Sequence, residues 1–396
     1  MIERRAAPLN MNVLLSAVEA APPNAAADVV GAALADTIGA RDVSFLIADY
    51  SGQSLIRLSH VNAADAEGGP SRERTQAVPL RGTPQGRALS QQRVETVTDN
   101  GSTRLFAPVT SRGEAVGVLE LELGYAPTEL TLATVAGSAR VLAYIVIANR
   151  RYTDLFEWGQ RSVPLSLEAE IQHRLLPGSY TCEGAQFTLA GWLEPAGDVG
   201  GDTFDFSVER DTLHVSMTDA MGHTVAAALL ATVLVGALRN ARRQSVGLAE
   251  QARAGDQALS RFASDDSFVT GQLMRVDLSS GIAMIVNAGH PPPIRIRDGR
   301  AAELVLHADP PFATGMVEPY RVQELALQPG DRIVFLTDGM LEHNAADADV
   351  AELLVRTRDL HPREAVQDLT QAVLEACGGR LDDDATVLCF DWHGQR

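Results

Sequence analysis

From about Gln186 onward the chain is a succession of short strand-like runs, and its helical patterns are gathered into two blocks instead of separating consecutive strands. FTLAGWLEP, DTFDFSVE, TLHVSMTDA, SFVTGQLMRVD, GIAMIVNAG, PIRIRD, DRIVFLTDG and ATVLCFDW are rich in aliphatic, aromatic and β-branched residues. The helical blocks lie at about 223–262 and about 348–377. A parallel sheet needs a crossover, usually a helix, between successive strands. Segregated helices, with turn signals at Ser279-Ser280-Gly281 and Asp298-Gly299, instead predict an α+β domain in which helices cover a mainly antiparallel sheet pair.

A chain of 396 residues is too long for one ordinary core and suits two domains and a connector. Residues 10–127 form the first domain. Helical patterns run through NVLLSAVEA, up to Pro22-Pro23, and through ADVVGAALADTIG, up to Gly39. DVSFLIADY and SLIRLSHV read as strands, and the Gly/Ser/acid-rich stretch 62–74 reads as a loop. RLFAPVT and EAVGVLELEL form a hairpin about Ser111-Arg112-Gly113.

Residues 128–177 read as a helical connector. Thr128 is a natural N-cap, and Leu132, Val135, Ala139, Leu142, Val146, Asn149, Thr153 and Phe156 follow a 3-4 spacing. Such spacing suits either a coiled-coil seam or a helix packed on its own domain. Pro164 breaks the pattern, and a short helix SLEAEIQHRLL follows, with Leu167, Ile171 and Leu175 in one stripe. If the seam pairs two chains, the connector makes a homodimer and can pass motion from the first domain to the second. Residues 178–396 form the second domain.

Thirty-three Lys and Arg stand against fifty-one Asp and Glu, a net charge of −18. Such a surface repels phosphate backbones and anionic lipid, so neither nucleic acid nor a membrane is expected as partner. Cys182, Cys377 and Cys389 fit no zinc motif and no disulfide framework. MIERRAAPLN lacks the apolar stretch of a signal peptide, and the uncharged run 224–238 is shorter than the roughly 20 residues of a membrane helix. A cytoplasmic protein is expected.

The chemistry is suggested by four aspartates. Asp219 ends one strand, Asp338 ends another, Asp383 precedes ATVLCF, and Asp202 follows Gly200-Gly201. Any one of them could be a turn former. Gathered at the rim of a sheet, they would repel one another unless a hard cation lay between them, and an all-oxygen set selects Mg²⁺ or Mn²⁺ over zinc.

EPAGDVGGDTFD, TDAMGH, NAGHPPP, LTDGMLE and DDDATVL, in this order, resemble the motifs of the type-2C metal-dependent protein serine/threonine phosphatases, and most of all their bacterial sporulation and stress-response branch. IQHRLLP resembles the short helix that leads into those domains. The resemblance implies a β-sandwich flanked by helices that hydrolyses phosphoserine or phosphothreonine on a protein with a two-metal-activated water. It implies Asp202, Asp219, the backbone carbonyl of Ala220, Asp338 and Asp383 as ligands of two Mn²⁺ or Mg²⁺ ions. Asp383 is taken over Asp382 and Asp384 from its place in the motif. His223 is a candidate proton donor or a loop-shaping residue, and Asn287 and His290 are read as supports of the site's loop. The family's GHG is Gly222-His223-Thr224 here, and Thr203 stands where a large aromatic is usual. The branch implies an anti-sigma-factor antagonist as substrate.

The first domain resembles, more loosely, a GAF domain, through its two early helices, FLIAD and the hairpin LFAPVTSRGEAVGVLEL. That implies a six-stranded antiparallel sheet with helices, a sensor role, and in some members a small ligand. With no cysteine before Cys182, a chromophore linked to one within this domain is excluded. A non-enzymatic pseudophosphatase scaffold, or a ligand-binding regulator centred on the first domain, remain the alternatives.

Overall fold

A computed structural model describes residues 10–49, 52–61, 72–99, 101–160, 167–195, 200–222, 225–264, 266–315, 318–341, 345 and 348–395. The chain divides into two units, 1–164 and 165–396.

In the first unit, helices α1 (Met11–Ala20) and α2 (Ala26–Ile38) precede strands β1 (Arg41–Ala48), β2 (Ser54–Val61) and β3 (Arg72–Pro79). Helix α3 (Pro84–Gln91), β4 (Glu95–Asp99), β5 (Ser102–Ser111), β6 (Glu114–Leu123), α4 (Glu129–Asn149) and α5 (Leu155–Gly159) follow. The Asn10 side chain caps α1, and Gly39, at φ 67°, ends α2 in the left-handed conformation that costs glycine least. The six strands form one antiparallel sheet in the order β3-β2-β1-β6-β5-β4. Arg112 and Gly113, both at positive φ, make the tight β5–β6 turn between the paired Ser111 and Glu114. The predicted loop is shorter than expected, because β3 begins at Arg72; residues 62–71 lie outside the described ones.

Of the two readings of the 3-4 spacing, the structure agrees with a helix packed on its own domain. Helix α4 begins at the Thr128 cap as predicted, but Val135, Ala139, Leu142 and Val146 are buried in the same core as Val30 and Leu34 of α2 and Leu105 and Leu119 of the sheet. Its apolar stripe is already covered by its own unit and is not available as a dimer seam. Asn149 ends the helix and donates to the Ile145 carbonyl one turn back, and Thr153 lies beyond it. Replacing fully buried Leu142 by Ala should therefore destabilise the first unit by about 2–5 kcal/mol. Calorimetry of the full chain checks this: the unfolding transition of the first unit should fall while that of the second stays put.

The second unit opens with α6 (Leu167–Leu175), which packs Ala169 and Ile171 against Ala228. Strands β7 (Thr181–Glu183), β8 (Phe187–Glu194), β9 (Thr203–Val208) and β10 (Thr212–Ala220) lead to α7 (Val225–Arg243) and α8 (Leu248–Leu259). Then come β11 (Val269–Asp277), β12 (Ile282–Ala288), β13 (Ile294–Arg297), β14 (Arg300–Glu303), β15 (Gln323–Ala326), β16 (Arg332–Leu336), α9 (Val350–Arg356), α10 (Pro362–Ala376) and β17 (Ala385–Trp392). Two antiparallel sheets result, β15-β12-β11-β10-β9 and β14-β13-β16-β17-β8-β7.

Side-chain alternation along the strands builds the layers. Ile333 and Phe335 of β16 join Leu213, Val215, Met217, Ile285 and Leu388 in the core shared by the two sheets. Val334 and Leu336, one residue out of step, face Leu354, Val366 and Leu369 of α9 and α10. On the far side, Leu230, Leu234 and Leu259 of α7 and α8 cover Leu273 and Val286. Helix pair, sheet, sheet, helix pair is the predicted sandwich. Among the described residues two helices, α4 and α7, are long and apolar enough to cross a membrane by length and composition alone, and each buries one face in its own unit.

Candidate metal centre

Asp202 precedes β9, Asp219 closes β10, Asp338 begins the short helical turn after β16, and Asp383 and Asp384 precede β17. Antiparallel pairing of β9 with β10 and of β16 with β17 brings these strand ends to one edge of the sandwich. Asp202 is almost fully buried, and its carboxyl is held well above the usual range, first by burial, then by the charges of Asp219 and Asp384. Burial, followed by the charges of Asp338 and Asp383, pushes Asp219 up to about 7. Asp202 thus lies within electrostatic reach of Asp219 and Asp384, and Asp219 within reach of Asp338, Asp383 and Asp384. Among the described residues no group of three or more His, Cys, Asp or Glu side chains stands close enough together to hold a metal ion as it is.

The Asp202 carboxylate is aimed by two hydroxyls. Thr337 Oγ1 and Thr386 Oγ1 both donate to its Oδ2, at 2.8 and 2.6 Å, and the Thr386 amide donates to Thr337 Oγ1 at 2.9 Å. Glycines let the backbones close in. A Cβ on Gly201 would strike the Ala220 carbonyl oxygen, and one on Gly339 would strike the Asp384 carbonyl. The buried Ala220 backbone is thereby held beside Gly201, whose carbonyl accepts from the Ala220 amide at 3.3 Å. Thr203, where an aromatic was expected, bonds Thr218 across the β9–β10 ladder, Oγ1 to Oγ1 at 2.6 Å. A small buried polar pair occupies that position.

Gln172 of α6 was not singled out in the sequence. It is buried, and its Nε2 donates to the Asp202 carbonyl at 2.9 Å and to Asp384 Oδ2 at 2.5 Å. Asp384 is therefore turned inward and held by the helix, while exposed Asp383 accepts the Asp384 amide at 2.8 Å. Helix α6 belongs to the second unit and touches its site directly. Outer-shell partners of this kind typically change affinity or activity 10–100-fold. Gln172→Ala should accordingly weaken Mn²⁺ binding by about that factor, read by titration calorimetry. Unchanged affinity would reduce the bond to packing. Asn287 Nδ2 donates to the His290 carbonyl and its Oδ1 accepts the His290 amide, so the expected loop support is present in the geometry. His223 lies outside the described residues.

Carboxylates on converging strand ends, in a helix-covered antiparallel sandwich, define the second unit as type-2C phosphatase-like in fold and motif order. Residues 209–393 match the family described as Stage II sporulation protein E (SpoIIE). Asp219, Asp338 and Asp383 fall inside the match, and Asp202 just before it. The phosphoserine phosphatase RsbP of Bacillus subtilis (strain 168) is 22% identical over 236 residues, 56% of this chain and 57% of that one. The chain thus spans little more than half of this curated relative. Among solved structures, the RsbU and RsbW domains of Rv1364c from Mycobacterium tuberculosis overlap at TM-score 0.47 and 25% identity, covering 53% of this chain and 62% of that one. The phosphatase domain and regulatory fragment of SpoIIE from Bacillus subtilis overlap at TM-score 0.47 and 14% identity, covering 77% and 82%.

Proposed function

We propose that the chain is a metal-dependent protein serine/threonine phosphatase whose second unit removes phosphate from phosphoserine or phosphothreonine on a partner protein. The observation that carries this is the rim of mutually destabilised, buried carboxylates in a domain that matches the SpoIIE family. Asp202, Asp219, the Ala220 carbonyl, Asp338 and Asp383 would hold Mn²⁺ or Mg²⁺. The donor set fits such ions, being all oxygen, and the charge a cation brings is what these carboxyls lack. When bound, a pair of divalent cations supplies charge stabilisation and a water of lowered pKa. The protein's own residues do the rest: Thr337 and Thr386 fix the direction of Asp202, Gln172 fixes its backbone, and Asp219 and Asp202 must give up protons as the ions enter. No cysteine is needed as nucleophile, and burial pushes the Cys389 thiol far up, away from the thiolate form.

The substrate we propose is a folded phosphoprotein, an anti-sigma-factor antagonist. A relative named as a phosphoserine phosphatase and the acidic surface, which disfavours nucleic acid and anionic membranes, both support a protein partner. The first unit is proposed as a GAF-like sensor that regulates the second, in a cytoplasmic homodimer; with the α4 stripe buried, dimer contacts must come from other surfaces. The test is phosphate release by the full chain from a chromogenic phosphate ester and from a panel of phosphorylated partners. Release should require Mn²⁺ or Mg²⁺, stop with chelator, and be more efficient on a phosphoprotein than on free phosphoserine, because remote contacts supply positioning energy. Full turnover in excess chelator would remove the metal reading, and absence of any turnover would leave the scaffold alternative.

A further inference from the structure

Helix α6 is too short to hold itself in place. Helices below about 12–15 residues are marginal on their own, so the position of this nine-residue helix comes from what the rest of the unit does to it. Its N-terminal part lies on α7, where Ala169 and Ile171 meet Ala228. Its C-terminal end is taken by a side chain with no part in the reading above. Arg239 of α7, about three turns beyond Ala228 and so on the same side of that helix, donates from Nη2 to the Leu175 carbonyl at 2.7 Å. Leu175 is the last residue of α6, and its carbonyl is one of those that a helix end leaves without an intrahelical partner. A cation there also meets the negative end of the helix dipole.

The same guanidinium grips the strand that follows Asp202. Arg239 Nη2 and Nε donate to the two oxygens of Asp205, at 2.9 and 3.1 Å. Arg242 Nη1 donates to Asp205 Oδ2 at 3.1 Å without reaching α6. Asp205 is only 5% exposed and lies on β9, three residues after Asp202. The bonds close a ring. It runs from Asp205 through Arg239 to the Leu175 carbonyl, back one turn of α6 to Gln172, and from the Gln172 amide to the Asp202 carbonyl and to Asp384 Oδ2. Strand β9 completes it. Asp384 is a group that has to be held: its carboxylate lies where a Cβ on Gly200 would strike it, and within reach of the like charge of Asp202.

We infer that Arg239 is a positioning residue of the metal centre: by joining the end of α6 to Asp205, it fixes Gln172, and with it the inward turn of Asp384, relative to Asp202. This rests on the reading of the aspartate rim as a cation site. A guanidinium suits the task. Its planar fork grips both oxygens of a carboxylate and still presents an N–H to a carbonyl, whereas a lysine ammonium is a point charge on a flexible stem. Leu175 and Gln172 are only about 4.5 Å apart along the helix axis, so a tether on the first restrains the second.

The test uses the full chain, with Mn²⁺ as probe in titration calorimetry and amide hydrogen exchange of the metal-free protein beside it. Arg239→Met keeps the apolar stem and leaves Asp205 its bond from Arg242. Its Mn²⁺ affinity should fall about 10–100-fold, and the α6 amides should exchange faster than in wild type. Arg242→Met, which also takes a bond from Asp205, should bind Mn²⁺ as wild type does. Combined with Gln172→Ala, Arg239→Met should add no further loss, because both act through one contact. Arg239→Lys, which keeps the charge but not the fork, should weaken binding in the same direction and serves if Arg239→Met does not fold. Wild-type affinity in the folded Arg239 variant, an equal loss in Arg242→Met, or losses that multiply in the double variant overturn the inference and leave Arg239 a packing residue. Asp202→Asn separates the two layers. If it loses Mn²⁺ while the Arg239 variant keeps it, the tether fails and the metal reading stands. If wild type itself binds no Mn²⁺, the metal reading fails and the inference with it, whatever the exchange of α6.

Discussion

Asp202→Asn should abolish phosphate release by the full chain, by on the order of a thousandfold or more, since the position stands for several kcal/mol of transition-state charge stabilisation. Asp202 is, with Asp384, the most enclosed carboxylate of the rim, and two threonine hydroxyls and one glutamine hold it by side chain and backbone. An amide keeps the shape but not the charge. Asp338→Asn should behave alike, with the fold preserved as judged by circular dichroism. Retention of more than a tenth of the wild-type rate in either variant, in excess Mn²⁺, would exclude that carboxylate from the site.

The second large effect is on stability, and its sign depends on pH. Asp219 has an ordinary carboxyl in the unfolded chain, near about 3.9, and one at about 7 in the folded, metal-free unit. Between those values the folded state binds the extra proton. The contribution of Asp219 is therefore fully present below about pH 4 and is lost as pH rises through 7. A shift of that size corresponds to about 4 kcal/mol as a ceiling, because the proton is shared with the neighbouring Asp202. Chelator-treated protein should lose stability from pH 5 to 8 in urea denaturation, and Mn²⁺ should remove most of the slope. Asp219→Asn, with no charge to strain the rim, should be flatter and more stable than wild type at pH 8 without metal. Equal slopes for the two proteins would mean that the rim stores no such repulsion.

Much of the second unit was legible because its signals are local. Alternation along TLHVSMTD and a short continuous apolar run in DRIVFLTD mark strands, and the aspartate at each end falls at a strand end whatever the sheet order. What was not legible depends on contacts distant in sequence. Gln172 meets Asp384 across 212 residues, and Thr386 meets Asp202 across 184, so no local pattern announces either. Thr337 and Thr386, inside the TDG and DAT stretches, were visible as residues, but their role appears only once β16 and β17 pair. The 3-4 spacing of α4 left two readings open for another reason. A 3-4 spacing reports that one face of a helix is apolar, not what covers it, and in α4 the cover is α2 and the first unit's own sheet.

The account turns on whether the aspartate rim takes up divalent cations, and titration of Mn²⁺ into chelator-stripped full chain by calorimetry tests that most directly. The prediction is saturable binding of about two ions, with proton release as Asp202 and Asp219 ionise, reduced in stoichiometry or affinity by Asp338→Asn. Absence of saturable binding, or binding that Asp202→Asn and Asp338→Asn leave untouched, would contradict it.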